Sequence, residues 1–160
     1  MKEIMSYDKK SQQTLDVVKA MEDALGANSN DMDQYFHKEF RWMGNQGCGT
    51  KKNLQEFRNN WQLPLRAAFT DRVYKTEKFI VDGEWASCFG YIDALHSGDF
   101  MGIKPTNKRV KIHYTDFWEV RDGLINVDFP SILSQLGIDV FNGLGWEVFD
   151  RGEVEPPKPN

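Results

Sequence analysis

Cysteine is scarce in this 160-residue chain, with only Cys48 and Cys88 present. Neither has a second Cys or a His at metal-ligand spacing, which argues against a structural zinc site. Free thiols in a reducing cytoplasm are the expectation. Blocks of Lys or Arg are also missing, and the net charge is −4. Nucleic acids and membrane surfaces recruit concentrated positive charge, so neither is expected as a partner. No apolar run approaches the ~20 residues of a membrane-spanning helix. The stretch Met1 to Lys10 holds no apolar signal core, and a cytoplasmic location is the expectation.

Rings are abundant, with five Trp, five Tyr and eleven Phe. They can fill a core, wall a pocket, or do both. The length suits one domain, read as residues 1–152, with an exposed proline-rich tail over 153–160.

Leu15, Val18, Met21 and Leu25 recur at three- and four-residue steps, predicting a helix from Lys10 to Leu25 that Gly26 ends. Ser29 or Asn30 suits the cap of a second short helix carrying Met32, Tyr35 and Phe36. A short strand is expected over Phe40 to Met43, then a loop over Gly44 to Gly49. That loop has the glycines of a phosphate loop without its Lys-Ser/Thr ending, so nucleotide binding is not expected. Thr50 reads as the cap of a third helix bearing Leu54, Phe57, Trp61 and Leu65, with Pro64 kinking or restarting it. Three strands follow, at Val73 to Val81, Trp85 to Leu95 and Lys108 to Val120. Asp122-Gly123 suits the two positive-φ positions of a tight hairpin turn, and Leu124 to Val127 pairs back. A last helix is expected over Asp128 to Leu136, closed by Gly137. Helices segregated from an antiparallel meander indicate an α+β fold.

A two-residue hairpin loop pairs Val120 with Ile125 and Trp118 with Val127. One face of the strand pair then presents Tyr114, Asp116, Trp118, Val120, Ile125 and Val127. It is the more apolar face and should meet the helices. The opposite face carries His113, Thr115, Phe117, Glu119, Arg121 and Asn126. Asp116 is the one carboxylate among the rings. It is either a satisfied core Asp or a carboxyl whose raised pKa suits acid–base chemistry near neutral pH.

The stretch from Leu95 through His96, Ser97, Gly98 and on to Gly102, Pro105, Thr106 and Val110 is similar to a signature of the SnoaL-like polyketide cyclases. That signature reads threonine-histidine-x-glycine, then glycine-x-x-proline-threonine-glycine. The run Asp116 to Ile125 and the later Ser134 to Phe141 resemble the family's final hairpin and closing helix. Gly47-Cys48-Gly49-Thr50 and Pro64 to Asp71 resemble the ester cyclase subgroup. The resemblance implies the cone of the nuclear transport factor 2-like superfamily: a strongly curved antiparallel sheet, barrel-like, covered by N-terminal helices around a pocket. It also implies a homodimer paired through the sheet, a hydrophobic small-molecule ligand, and aldol ring closure by a His and an Asp with no cofactor or metal.

Carried over residue by residue, the family's His in the last long strand falls on Asp116, and its Asp falls near Asp128 or on Pro130. Asp128 also suits an N-cap. His96 matches the signature His, or holds the turn that follows it. His113 and His37 read as surface positions. Trp42, Trp61 and Trp118 would shape the pocket, and Tyr91 and Tyr114 could donate to a bound carbonyl. Three readings stand: a cofactor-free cyclase or isomerase acting on a hydrophobic carbonyl compound, a non-catalytic binding module for an apolar molecule, or a structural, partner-binding domain.

Overall fold

The computed structural model describes residues 7–44 and 48–134. Helix α1 spans Lys9–Gly26, capped by Asp8, whose carboxylate accepts the Ser11 N–H at 2.9 Å. Its buried stripe includes Leu15, Val18 and Met21. The expected second helix shrinks to one tight turn over Asp33–Tyr35. Phe36 opens strand β1 instead, which runs Phe36–Met43 with Phe36, Phe40 and Trp42 buried on one face. A period of two suits those rings, where a helix would scatter them.

Thr50 does not cap a helix. It sits in the short strand β2, Thr50–Lys51, opposite Met43. The cap is Asn53, whose side chain accepts the Glu56 N–H, while the Glu56 carboxylate accepts the Lys52 N–H. This reciprocal pairing satisfies donors that the first turn leaves free. A helical run follows: α2 (Leu54–Phe57), a widened turn over Arg58–Gln62, and α3 (Leu63–Ala68). Pro64 explains the widening. It has no N–H for the carbonyl four residues back and its ring crowds that carbonyl, so the backbone opens just ahead of it.

Four long strands complete the fold: β3 (Phe69–Asp82), β4 (Trp85–His96), β5 (Arg109–Arg121) and β6 (Leu124–Ser134). The sheet order is β2-β1-β6-β5-β4-β3, antiparallel except where β1 runs parallel to β6. The α+β class holds, but the described sheet is mixed and open at β2 and β3, so it does not close into a barrel. The expected helix from Asp128 is also overturned, because β6 continues through Asp128 to Ser134, paired with β5 along its length. Three apolar β-formers, Phe129, Ile132 and Leu133, extend the ladder there. The predicted stop at Gly137 and the tail 153–160 lie outside the described residues. Among the described residues, no helix is long and apolar enough to cross a membrane.

The hairpin β5–β6 turns on Asp122 and Gly123, at φ of 52° and 75°, as the type I′ turn requires. Val120 pairs with Ile125, but Glu119 pairs with Val127 and Trp118 with Asp128. Asn126 is an extra residue in the ladder, a β-bulge. It moves every later residue of β6 by one, so Asp128 rather than Val127 joins the inner face.

Candidate active site

The inner face of the sheet can be read row by row from its register. Tyr74, Ile92 and Ile112 form one row, and Thr76, Gly90 and Tyr114 the next. Cys88 lies beside Asp116, and then Ala86, Trp118 and Asp128 align. Helix α1 and the 54–68 helical run cover these rows without filling the space beneath. A cavity of about 100 Å³ remains. That exceeds the ~30 Å³ share of one water and falls below the ~300–1,000 Å³ of sites for drug-sized ligands. A ring-sized group fits inside, and the rest of a larger ligand must pass through the mouth.

Aromatic side chains make the walls. Trp42 and Trp61 lie 4.8 Å apart between ring centroids, and Phe57 packs 5.8 Å from Trp42. Tyr114 and Trp118 complete the lining on the sheet side. Four of the five expected ligand contacts are thus brought together: Trp42, Trp61, Tyr114 and Trp118. Tyr91 is not among them. It lies on the outer face, its ring 5.8 Å from His113, with Lys111 Nζ 4.7 Å above it.

Three carboxyls reach the cavity: Asp116, Asp128 and Glu22. Glu22 accepts the Thr76 hydroxyl at 2.6 Å on one oxygen and the Cys88 thiol at 3.3 Å on the other. The Tyr114 hydroxyl lies 2.7 Å from Thr76 Oγ1. Thr76 has one proton and gives it to Glu22, so Tyr114 must donate to Thr76. The tyrosine proton is therefore already engaged. Gly90 makes this chain possible, because a Cβ there would stand 2.9 Å from the Tyr114 hydroxyl and 2.2 Å from the Lys75 carbonyl.

Asp116 lines the cavity with no side-chain hydrogen bond to any described residue. Burial, and then the negative charge of Glu22, push its pKa well above the ordinary carboxylate range. Burial, then Asp116 and Glu22, raise Asp128 in the same way, against a lowering hydrogen bond from the Trp42 side chain. Asp128 Oδ1 is buried and has no partner among the described residues. An unmet acceptor in a dry site costs about 1–3 kcal/mol, which protonation or a ligand donor removes. Glu22 is raised too, by burial, and lowered in part by its two donors. Each acid's negative charge opposes ionisation of the others, so the group holds protons more tightly than separate carboxyls would.

Glu22, Cys88 and Asp116 place one ligand atom each within 4.8 Å of one another. The thiol is pushed strongly upward, by burial and then by Glu22 and Asp116. Within the cluster the Cys88 thiol donates to Glu22, and Asp116 has no side-chain hydrogen bond to a described residue.

His96 is placed elsewhere. It is fully buried and stacks on Phe69, with ring centroids 5.0 Å apart. The Thr106 N–H donates to its Nδ1 at 3.2 Å, which fixes the ring neutral with the proton on Nε2. Burial lowers its pKa. It holds the turn that follows β4 and does not line the cavity.

Glu22 escaped the sequence reading, although a signal for it exists. Leu15, Val18, Glu22 and Leu25 also follow three- and four-residue steps, so Glu22 sits on the apolar stripe of α1. A charge on a buried stripe needs a partner or a task.

No curated protein matches the chain. Solved structures match at low identity and show the fold. A SnoaL-like protein of Jannaschia sp. CCS1 superposes with a TM-score of 0.74 at 13% identity, covering 96% of this chain and 99% of that one. A SnoaL-like polyketide cyclase of Agrobacterium tumefaciens C58 gives 0.63 at 15% identity, over 81% and 98%. A nuclear transport factor 2-like protein of Burkholderia thailandensis E264 gives 0.67 at 16%, over 80% and 96%. The family model of the SnoaL-like polyketide cyclases matches residues 15–128, which takes in α1 from Leu15 onward, the aromatic walls and all three acids, and the chain belongs to that family.

Proposed function

We propose that the cavity is an active site for acid–base chemistry on a hydrophobic carbonyl compound, of the cyclase or isomerase type, with Asp116 and Asp128 as the working pair. The observation that carries this reading is two carboxyls on adjacent strands that line one aromatic cavity. A carbonyl ring or chain enters between Trp42, Trp61 and Trp118. The protonated acid donates to the carbonyl oxygen. The ionised partner removes a proton from the adjacent carbon, giving an enol, while the first acid stabilises the developing oxygen charge. The enol carbon then attacks a second carbonyl of the same molecule, which the walls hold near, or is reprotonated at another position. Every proton in this scheme moves between side chain and substrate.

Glu22 acts behind the pair, as a negative group that keeps a proton on it. His96 has no part in this scheme, because it sits away from the cavity. A homodimer belongs to the same reading: Val73, Ile80, Phe89 and Phe117 are 49%, 57%, 40% and 50% exposed on the outer sheet face, and a second copy would cover them. Unpaired Cys48 and Cys88 suit a reducing compartment.

Exchange of α-protons for deuterium tests the chemistry before the substrate is known. Acetophenone and α-tetralone in D₂O, followed by NMR, should exchange faster with the protein present. Asp116→Asn and Asp128→Asn should each remove about 10²–10⁴-fold of that acceleration. Ketone binding without exchange would leave a non-catalytic binding module, the reading that the unmet acceptor on Asp128 would then serve.

A further inference from the structure

The cavity has a second polar end. Asp128 is buried at the acidic end, with Asp116 and Glu22 partly exposed beside it, and the lining also carries Arg66 and Tyr74, both partly exposed, which we take as its rim. Arg72 adjoins them. Neither Arg66 nor Arg72 has a carboxylate partner among the described residues. Arg58, by contrast, is paired with Asp33 at 3.0 Å.

Neutral acceptors hold the two unpaired arginines. Arg66 donates to the Ser29 carbonyl at 3.3 Å and 3.4 Å, both long contacts. Arg72 donates to the Arg66 carbonyl at 2.9 Å, and also to the Phe69 carbonyl and Asn28 Oδ1. These bonds orient both guanidinium groups and leave their charge uncompensated. Arg72 Nε is buried with no partner among the described residues. Burial opposes the charge on Arg66 most, Tyr74 favours it, and the positive charges of Arg72 and Arg58 oppose it further. Two like charges held side by side, one of them on the cavity lining, attract an anion.

We infer that Arg66 and Tyr74 at the rim, with the positive charge of Arg72 behind them, bind a carboxylate of the ligand, so that the molecule taken by this cavity is a keto acid. This rests on the reading of the cavity as a carbonyl site and names its substrate class. The ketone lies at Asp116 and Asp128, the apolar body between Trp42 and Trp61, and the carboxylate at the rim. Register sets the spacing. The Tyr74 row meets β5 at Ile112, four residues from Asp116, or about 13 Å along the strand. The guanidinium and carboxyl side chains cover part of that span, and a short acyl chain covers the rest. A monoanion suits the rim better than a phosphate dianion, because Glu22, Asp116 and Asp128 share the same cavity.

The probe is ω-benzoylvalerate, a phenyl ketone with a terminal carboxylate, compared with its methyl ester. Binding is read by quenching of the tryptophans that wall the cavity and by calorimetry. The acid should bind at least about tenfold tighter than the ester. Its affinity should fall with added salt, while that of the ester should not. In Arg66→Gln the preference should shrink to near unity with ester binding retained. Arg66→Lys should restore only part of it, because a point charge replaces a fork. Retained ester binding also shows that a variant is folded. Equal binding of acid and ester by the wild type would overturn the inference and leave the carbonyl cavity standing. Failure of both probes to bind would overturn the cavity reading together with it. Tighter binding of phenyl phosphate than of the acid would assign the rim to a phosphate ester and overturn the carboxylate.

Discussion

The molecule buries titratable groups in two places, around His96 at the end of β4 and around Asp116 and Asp128 between β5 and β6. Both lie deep and both have pKa values displaced by burial. Around His96 the fold packs the ring closely, with a backbone N–H on Nδ1 and a stacked Phe69, and leaves only Nε2 without a partner among the described residues. The acids differ in lining an open cavity. Asp116 faces open space, Asp128 keeps an unmet oxygen, and Glu22 adds charge beside them. Depth alone does not mark a site. A displaced pKa facing an unfilled cavity does.

The comparison can be broken most sharply at Gly90. In Gly90→Ala the new Cβ meets the Lys75 carbonyl and the Tyr114 hydroxyl, and the Tyr114–Thr76–Glu22 chain must give way. Overpacking of this kind costs about 1–3 kcal/mol, and backbone contact places the change at the upper end. Thermal unfolding should show it, with α-proton exchange lost as well.

Asp116→Asn and Asp128→Asn should leave stability equal or higher while abolishing exchange, since each removes a charge that the site opposes. His96→Gln should do the reverse, losing about 1–2 kcal/mol with exchange intact. A loss of exchange in His96→Gln at full stability would erase the contrast between the regions.

The smallest effect is a slope. The acids are raised in the folded state, so their contribution is fully present below the unfolded value, near 3.8 for Asp. It is lost as pH rises through the folded values. Stability should therefore decline with pH across that window. Asp128→Asn should flatten the decline in urea titrations run at several pH values, and His96→Gln should not.

Much of the fold was legible in the chain. The stripe of α1, the strands β3 to β5 and the Asp122-Gly123 turn follow from local periodicity and turn chemistry. The rings of the cavity, Trp42, Trp61, Tyr114 and Trp118, lay on the expected faces. What failed was non-local. Phe36 joined a strand because β6 lies beside it, and β6 ran on because β5 offered a partner along its whole length. Neither strand pairing is written in its own segment. Asp128 therefore read as a helix cap, and Glu22 drew no notice because its partners Thr76 and Cys88 sit on distant strands.

The bulge at Asn126 has a consequence for comparing this chain with others. It is one residue in excess, so deleting Asn126 would straighten the ladder and still leave Asp128 opposite Trp118. A relative one residue shorter at that point thus carries its equivalent acid one column earlier in an ungapped alignment, where it would face Val127. Wherever such an alignment reports the second acid as missing, a single gap at Asn126 brings it back. Loss and retention of the pair across the family should be scored only after that gap is placed.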